Sequence, residues 1–161
     1  MAKSADNRSP RRTFAPTLTN RKARHNYDVL ETYEAGIELK GTEVKSIRNS
    51  EVSLEEAFAR VRNGELWLFG CHVKPYEYGD VSKQDPTRPR KLLLHKREIH
   101  ALIGAVTQKG VTMVPLKMYF KRGRVKVLIG LARGRRAFDK REVIRKKQQA
   151  RDIDQALRRR R

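Results

Sequence analysis

The chain has 161 residues, of which 38 are Lys or Arg and 18 are Asp or Glu, so its formal net charge is +20. An excess of this size requires a polyanionic partner, and nucleic acid is the first candidate because neutralising phosphates releases condensed counterions. The sequence has no run of about 20 apolar residues and no secretory signal at its start, which argues against a membrane protein and predicts a cytoplasmic one.

The first residues have the composition of a disordered segment. Residues 1–19 contain two Pro, three Arg and several Ser and Thr, with almost nothing to bury. We therefore predict a disordered basic arm over residues 1–19, a folded domain over residues 20–132 and a basic tail over residues 133–161.

Two runs with strand character follow the arm. They are "NYDVLETYEAG" and "IELKGTEVKSIR", separated at Gly36, and in the second Glu43, Lys45 and Ile47 alternate with Val44, Ser46 and Arg48. This alternation predicts a strand. Ser53 and Glu56 then form a capping-box pattern, which predicts a single helical turn in "SLEEA".

Two β-hairpins are predicted further along the chain. In "AFARVRNGELWLFGCHV", two β-rich runs are joined by Asn63-Gly64, a dipeptide that accepts the positive φ angles of a type I′ turn. In "VTMVPLKMYFKRGRVKVLIGLA", the turn spans Lys121 to Arg124 and Gly123 supplies the permissive backbone.

One amphipathic helix is predicted between the hairpins, in "LHKREIHALIGAVTQKG". Its apolar residues Ile99, Leu102, Ile103 and Val106 recur at helical spacing, and Gly110 stands where a C-cap belongs. About six short antiparallel strands with one packed helix predict a mainly β fold, a small closed barrel of the OB type, because closure removes exposed edges. An open sheet with the helix on one face would use the same elements.

The sequence lacks the signatures of catalysis. The four His residues have no metal-ligand spacing, and the single cysteine, Cys71, lies in an apolar run typical of a buried structural thiol. No phosphate-binding loop or nucleophile elbow is present. We therefore expect no enzyme activity, no metal and no cofactor.

Two basic clusters precede predicted strands. "NRKARHNY" carries Arg21, Lys22 and Arg24, and "DPTRPRK" carries Arg88, Arg90 and Lys91 around two prolines. Charge runs are usually solvated surface, but a loop stiffened by Pro loses little entropy on meeting phosphates, which favours RNA contact for the second cluster.

Two carboxylates, Glu34 and Glu43, lie within the same basic surroundings. Such a residue either forms a surface salt bridge or accepts a hydrogen bond from a base edge. The residues alone favour the salt bridge.

Several motifs in this order resemble one known family. They are "NRKARHNY", "EAGIELKGTEVKSIR", "DPTRPRKLLLH", "VKVLIGLARGRR" and "DKR", and the likeness runs from about Asn20 to Arg141. The sequence is similar to SmpB, the bacterial partner of transfer-messenger RNA. The resemblance implies an OB-type barrel that binds the tRNA-like domain of this RNA. It also implies that the protein accompanies the RNA into stalled ribosomes, and that elongation factor Tu is a partner only indirectly, through the RNA.

The resemblance also implies two sets of contact residues. Those for transfer-messenger RNA are Asn20, Arg21, Lys22, Arg24, Glu34, Lys45, Arg48, Arg88, Arg90, Lys91 and Leu93. Those for small-subunit rRNA, at the decoding site and in the empty messenger channel, are Gly134, Arg135, Arg136, Phe138, Asp139, Lys140, Arg141, Arg145, Lys146 and Lys147. The tail is expected to be disordered when free and helical when bound, and its 13 Lys and Arg against 4 Asp and Glu suit rRNA.

One residue departs from the family pattern. Many members have His immediately before "DKR", whereas this chain has Phe138, which can stack on a base but cannot donate a hydrogen bond. We expect a monomeric, non-catalytic RNA-binding adaptor without membrane contact. The alternatives are a ribosomal or ribosome-assembly protein that binds rRNA, and an RNA-modifying enzyme.

Overall fold

A computed structural model describes residues 15–107, 110–135, 144–151 and 155. The strands are β1 (Leu18–Thr19), β2 (Tyr27–Ile37), β3 (Val52–Ser53), β4 (Phe58–Arg62), β5 (Glu65–Phe69), β6 (His72–Val73), β7 (Arg90–Leu93), β8 (Val111–Lys121) and β9 (Arg124–Gly134). The helices are α1 (Arg21–Asn26), α2 (Gly41–Arg48) and α3 (Lys96–Val106), with a 3₁₀ turn at Val81–Lys83. Residues 144–151, called the tail helix below, are also helical.

Six antiparallel strands form a closed ring. Their order is β8-β4-β5-β7-β2-β9, and β9 pairs again with β8 to complete the circle. β1 pairs with β8 beside the ring, and β3 pairs with β6 separately. The predicted small closed barrel is therefore confirmed, and the open-sheet alternative is wrong because the β8–β9 pairing leaves no gap.

Both predicted hairpins are confirmed by their turns. Asn63 and Gly64 have φ angles of 52° and 74°, which are the two positive values that a type I′ turn needs. Arg122 and Gly123 have φ angles of 50° and 75° between β8 and β9. The second hairpin joins two of the three longest strands of the ring, so its register organises one whole side of the barrel.

The hydrophobic core fills the ring, and a smaller apolar cluster lies outside it. Alternate residues of each strand point inward, as Leu66 and Leu68 of β5 do, and Leu102 of α3 packs on the same core. Outside the ring, Ala23 of α1 packs on Val114, one of the apolar residues on the outer surface of the barrel. This contact holds α1 against the outside of β8.

The strand predicted for "EVKSIR" is wrong, because these residues form α2. Glu43, Ser46 and Ile47 are buried at helical spacing, and the Glu43 carboxylate accepts a hydrogen bond from the backbone N–H of Lys40, 2.7 Å away, at the start of the helix. β2, by contrast, continues through Gly36 without a break. Burial of one face of the helix against the rest of the protein therefore decides for a helix, although the local alternation of residues indicated a strand.

Other local predictions are also corrected. The predicted turn of helix at "SLEEA" is absent from the structure, where Ser53 belongs to β3 and a turn closes between Ala57 N and Leu54 O at 3.1 Å. α3 ends with Thr107 as its C-cap, so Gly110 lies beyond the helix. α1 itself was not predicted.

The boundaries of the folded domain also differ from the prediction. Leu18 and Thr19 pair with β8 inside the predicted arm, and β9 continues two residues past the predicted end at 132. The expected disorder of the free tail stays a prediction, and the tail helix has a local reason to form. Its Arg, Lys, Gln and Ala residues are good helix formers, and every side chain at 144–151 is exposed. In the described chain no helix is long and apolar enough to cross a membrane.

Candidate nucleic-acid interface

The outer surface of β7, β2, β9 and β8 presents its side chains in cross-strand rows. In one row, Gly36 of β2 pairs with Leu93 of β7 on one side and with Lys126 of β9 on the other, and Lys126 pairs in turn with Tyr119 of β8. In the next row, Glu34 pairs with Leu128 and Leu128 with Lys117. The outward residues Glu34, Leu93, Lys117, Tyr119, Lys121 and Lys126, together with the exposed cations of α1, are called the basic face below.

Glu34 is held by two neighbours on β8. Its carboxylate accepts a hydrogen bond from the Tyr119 hydroxyl, and Lys121 Nζ lies 2.9 and 3.0 Å from its two oxygens. The Tyr119 hydrogen bond, followed by that of Lys121, lowers the pKa of Glu34. Burial, and after it the hydrogen bond to Glu34, raises the pKa of Tyr119 to about 12. In the free protein Glu34 is thus a surface salt-bridge partner, and its network faces solvent.

Three residues of β8 that sequence reasoning missed complete the basic face. Lys117, Tyr119 and Lys121 lie on the outer side of the strand at two-residue spacing, and Lys117 Nζ is 5.0 Å from the centre of the Tyr119 ring. Lys126 of β9 pairs with Tyr119. The sequence did contain a signal for these residues. Once the β8–β9 turn is known, the register of the hairpin places Lys117, Lys121 and Lys126 around Tyr119.

α1 adds cations at the other end of the same face. Arg21 and Arg24 are exposed, and neither has an ion-pair partner among the residues that the structure describes. Lys22 pairs with Glu56, and this hydrogen bond raises the pKa of the lysine. Since Ala23 packs beside Leu128, the helix adjoins the row that contains Glu34.

Asn20 has a structural role instead of the predicted surface contact. The residue is 2% exposed, and its Oδ1 accepts from Ala23 N at 2.9 Å, which caps α1. Its Nδ2 donates to Leu54 O at 2.6 Å and to Pro115 O at 3.1 Å. Every polar atom of the side chain is therefore used to fasten α1 to the barrel, and none is available to RNA.

Two cations of α2 rest on aromatic rings. Arg48 lies over the Phe120 ring at 5.6 Å, beside the β8 residues of the basic face, and Lys45 Nζ lies 5.0 Å from the centre of the Tyr76 ring. A cleft of about 350 Å³ separates Leu93 from the β8–β9 turn, and Val44 of α2 lines it. Leu93 is 52% exposed at the edge of this cleft. The structure therefore brings Arg48 and Leu93 to the same end of the barrel.

Arg90 is buried, contrary to the predicted RNA contact. It is 0% exposed, and its Nε donates to Glu43 Oε1 at 2.9 Å. Its other nitrogens donate to Cys71 O at 2.7 Å and to Pro86 O and Arg88 O, each at 3.1 Å. A guanidinium with all of these partners holds the loop before β7 in shape and cannot reach a phosphate.

Arg88, which is partly exposed, binds the same Glu43 carboxylate. Its Nε and Nη2 donate to the two oxygens of Glu43 at 2.9 and 2.5 Å, and its side chain remains 24% exposed. Burial disfavours the charged form of Glu43, but the hydrogen bonds from Arg88 and Lys40 and the charge of Arg90 together keep its pKa below the ordinary value. Glu43 is thus a structural carboxylate.

Lys91 lies on the outer side of β7. Its Nζ is 2.5 Å from Glu65 Oε1, and its side chain is 32% exposed. Leu93 lies on the same side of this strand, two residues further on. Lys91 therefore lies next to the basic face, with its charge already offset by a neighbour.

The tail leaves the barrel beside α1. Gly134 ends β9, and the backbone N–H of Arg135 donates to Asn26 O at 2.9 Å. Arg135 Nε donates to Asp28 Oδ1 at 2.6 Å, so the side chain is only 18% exposed. Arg145, Lys146 and Lys147 are exposed on the tail helix. The predicted contacts Arg136, Phe138, Asp139, Lys140 and Arg141 lie outside the described residues.

The described residues offer no metal chemistry. Within residues 15–107, 110–135, 144–151 and 155, no group of three or more His, Cys, Asp or Glu side chains could hold a metal ion. Burial raises the pKa of Cys71 to about 11, so its thiol stays protonated near neutral pH. The chemistry available at the basic face is that of cations, an aromatic ring and the solvent-facing carboxylate of Glu34.

Comparisons with known proteins point to one family. A family model described as "SmpB protein" matches residues 17–159. The SsrA-binding protein of Carboxydothermus hydrogenoformans is 57% identical over 139 residues, which cover 86% of this chain and 93% of that relative. The SsrA-binding protein of Enterococcus faecalis is 53% identical over 138 residues, which cover 86% of this chain and 90% of the relative.

A solved structure gives the same result in three dimensions. It is described as "tmRNA-SmpB: a journey to the center of the bacterial ribosome", and its matching chain is 56% identical with a TM-score of 0.66. The match covers 81% of this chain and 96% of that one. The barrel, from β1 to β9, lies within the residues 17–159 that the family model matches.

Proposed function

The chain belongs to the SmpB protein family, and on that premise we propose that it is the RNA-binding adaptor of trans-translation. It binds the tRNA-like domain of transfer-messenger RNA and delivers this RNA to stalled ribosomes. The observation that supports the proposal most directly is the basic face, where lysines of β8 and β9 surround Tyr119 and α1 adds exposed arginines at the other end of the same side of the barrel.

The basic face suits a folded RNA because it combines two kinds of contact. Arg21, Arg24 and Lys126 supply charge for phosphates, which gives affinity without sequence preference. Tyr119 and Glu34 supply an aromatic ring and an acceptor, which can recognise bases whose edges are exposed. Since Glu34 is at the surface, a base edge can take the place of Lys121 without exposing buried charge.

The tail is proposed to act on the ribosome. With Arg135 fixed beside α1, the residues that follow enter the empty messenger channel of the small subunit and contact rRNA near the decoding site. Exposed Arg145, Lys146 and Lys147 on the tail helix suit this polyanionic channel. In this scheme elongation factor Tu is reached only through the RNA, and the protein acts in the cytoplasm as a monomer, without catalysis, metal or cofactor.

An affinity-capture experiment tests the proposal. The tagged protein, expressed in a bacterium, should recover one small structured RNA with a tRNA-like domain, and the Lys121→Gln, Lys126→Gln double variant should recover much less of it. A ribosomal or ribosome-assembly protein would instead recover mainly rRNA, with little effect of the double variant. That second result would reject the adaptor function.

A further inference from the structure

A second outer surface carries aromatic and basic side chains in alternation. On β4, Phe58, Arg60 and Arg62 point outward, while Ala59 between them is buried. On β5, Trp67 and Phe69 point outward in the same way. These five outward residues, Phe58, Arg60, Arg62, Trp67 and Phe69, are called the aromatic face below.

Cross-strand pairing places aromatic and basic side chains next to one another on this surface. Phe58 pairs with Phe69, and Arg60 pairs with Trp67 in the next row. The two Phe rings are stacked, with centroids 5.5 Å apart and planes 18° from parallel. Phe58 is still 44% exposed, although burial is the usual state of a large apolar side chain.

The charge of the aromatic face is available to a ligand. Neither Arg60 nor Arg62 forms an ion pair with any described residue, whereas the nearby carboxylate of Glu65 is neutralised by Lys91. Open pockets of about 490 and 400 Å³ flank Phe58 and Trp67, respectively. The surface thus combines the exposed Phe58 ring, the half-buried Trp67 ring, guanidinium groups without an ion-pair partner among the described residues, and space beside them.

Most of this surface lies away from the basic face. In the ring order β8-β4-β5-β7-β2-β9, the strands β4 and β5 lie across the barrel from β2 and β9. Phe58 adjoins the α1 end of the basic face, because it lines one pocket together with Lys22. A folded RNA domain seated on Glu34 and Lys126 would therefore leave Trp67 uncovered, and the two surfaces are able to bind two different segments at once.

We propose that the aromatic face binds unpaired bases of single-stranded RNA, which stack on Phe58 and Trp67 while Arg60 and Arg62 contact the phosphates. Base–aromatic stacking beside a basic track is how proteins hold single strands without sequence preference. Interruption of the apolar surface by two Arg residues favours RNA over an apolar protein partner. The proposal goes beyond binding of the tRNA-like domain, which rests on the other face.

Trp67 provides a direct readout because it is the single tryptophan of the chain. Titration of the full-length protein with a 12-nucleotide oligoadenylate should quench its fluorescence, since a stacked base contacts the indole. A 12-base-pair RNA duplex at the same phosphate concentration should quench it much less, because its bases are already stacked on one another. Equal quenching by duplex and single strand would overturn the proposal.

A double variant tests the assigned residues. F58L with R60Q keeps an apolar group at the exposed position and removes one ring and one charge, and roughly tenfold weaker oligoadenylate binding is expected. The matched control, K83Q, also removes one charge but lies outside both faces, where Lys83 pairs with Asp80 at 2.8 Å, and it should leave the quenching constant within about twofold. Unchanged affinity of a folded F58L, R60Q protein would overturn the proposal, as would selective quenching by polyglutamate, which would indicate an acidic protein partner.

The source of the single strand is then distinguished with two natural RNAs. Loss of affinity of F58L, R60Q for full-length transfer-messenger RNA alone would place the unpaired segment in that molecule. Loss of affinity for isolated small ribosomal subunits would place it in rRNA. No loss for either would overturn the proposal, while binding of the tRNA-like domain by the basic face would be untouched by that result.

Discussion

Glu43 and Arg90 form an ion pair inside the protein, with Arg90 Nε 2.9 Å from Glu43 Oε1 and side chains 8% and 0% exposed, respectively. The pair connects α2 to the first residue of β7, positions that are 47 residues apart in the sequence. Because Arg88 binds the same carboxylate, Glu43 holds the whole Pro-rich loop against α2.

Substitution of Arg90 by Met should destabilise the protein strongly. The change removes the Arg90 donor from the carbonyl groups of Cys71 and Pro86, of which Pro86 O keeps the backbone N–H of Val73 at 2.9 Å, and leaves Glu43 with one cation fewer. Removing one partner of a buried ion pair typically costs about 3–5 kcal/mol, so the free energy of unfolding in urea should fall by that order. Arg88→Met is the control, because Arg88 is partly exposed and should cost less. Equal losses for both variants would contradict the assignment.

The stability contributed by Glu43 should depend on pH. Its folded pKa is lowered from 4.5, so the contribution is fully present above the unfolded pKa and is lost as the pH falls through the folded value. We expect Glu43→Gln to be less stable than the parent at neutral pH. The difference in free energy of unfolding should shrink as the pH is lowered below the ordinary carboxyl pKa, which urea titrations at several pH values would measure. A difference that stays constant down to full protonation would argue against a charged Glu43.

Replacement of Glu34 by Gln should weaken RNA binding. If only net charge mattered, losing a carboxylate from a basic surface would tighten the complex. If Glu34 accepts a hydrogen bond from a base edge, its loss should cost about 1–3 kcal/mol, as measured by calorimetry with the tRNA-like domain. Glu31→Gln is a matched control, because Glu31 lies on the same strand and also accepts from a tyrosine hydroxyl, that of Tyr33 at 2.6 Å. Tighter binding by the Glu34→Gln variant would mean that Glu34 acts only as a salt-bridge partner and not as a base contact.

The salt dependence of binding should identify the phosphate contacts. Substituting Lys126 by Gln should reduce the slope of log K against log salt by about 0.7–0.9 when one phosphate contact is lost. Lys83→Gln is the control, since it changes the net charge equally but lies outside both faces, paired with Asp80 at 2.8 Å. Equal slopes for the parent and Lys126→Gln would exclude this lysine from the interface.

Binding and rescue should separate when the tail is removed. A chain that ends after Arg135 keeps all of β9 and the contacts of Arg135 with Asn26 and Asp28. It should bind transfer-messenger RNA within about twofold of the parent, yet fail to support tagging on stalled ribosomes, because the two activities lie on different segments. Tagging at the full rate would contradict a function of the tail on the ribosome.

Substitutions within the tail refine this test. Replacing Asp139, Lys140 and Arg141 by Ala should abolish tagging with little loss of RNA affinity. The same change at residues 159–161 should cost less and be partly offset at lower salt, because those arginines would act through general charge. Equal effects of the two triple variants would contradict the assignment of residues 139–141 to the decoding site.

The turns and the barrel could be predicted because their signals are local. Asn63-Gly64 fixes a hairpin by its own backbone preference, and the alternation after Gly123 fixes the next strand. α2 could not be predicted in this way, since its alternation fits a strand and only burial of Glu43 and Ile47 against distant residues decides for helix.

The candidate site was predicted less well than the fold, for a physical reason. Sequence shows that Arg90 is charged but not that a carboxylate 47 positions away can accompany it into the interior. Asn20 was likewise assigned to the surface, although it caps a helix that had not been predicted. Lys117 stands apart from the basic clusters along the chain and Lys126 belongs to the turn run "KRGRVK", so only the β8–β9 register brings them beside the same tyrosine.

The pairing of β9 with β8 limits how any partner can be recognised. With a neighbour on both sides, none of the six ring strands is a free sheet edge, although β4 and β8 share only the Ala59–Met113 pair. Strand addition, the mode by which open sheets take up extended peptides, is therefore disfavoured along most of the ring. Discrimination among ligands falls mainly to the outward side chains. Ligand preference can accordingly change by substitution on one outer surface while the interior and the opposite surface stay as they are.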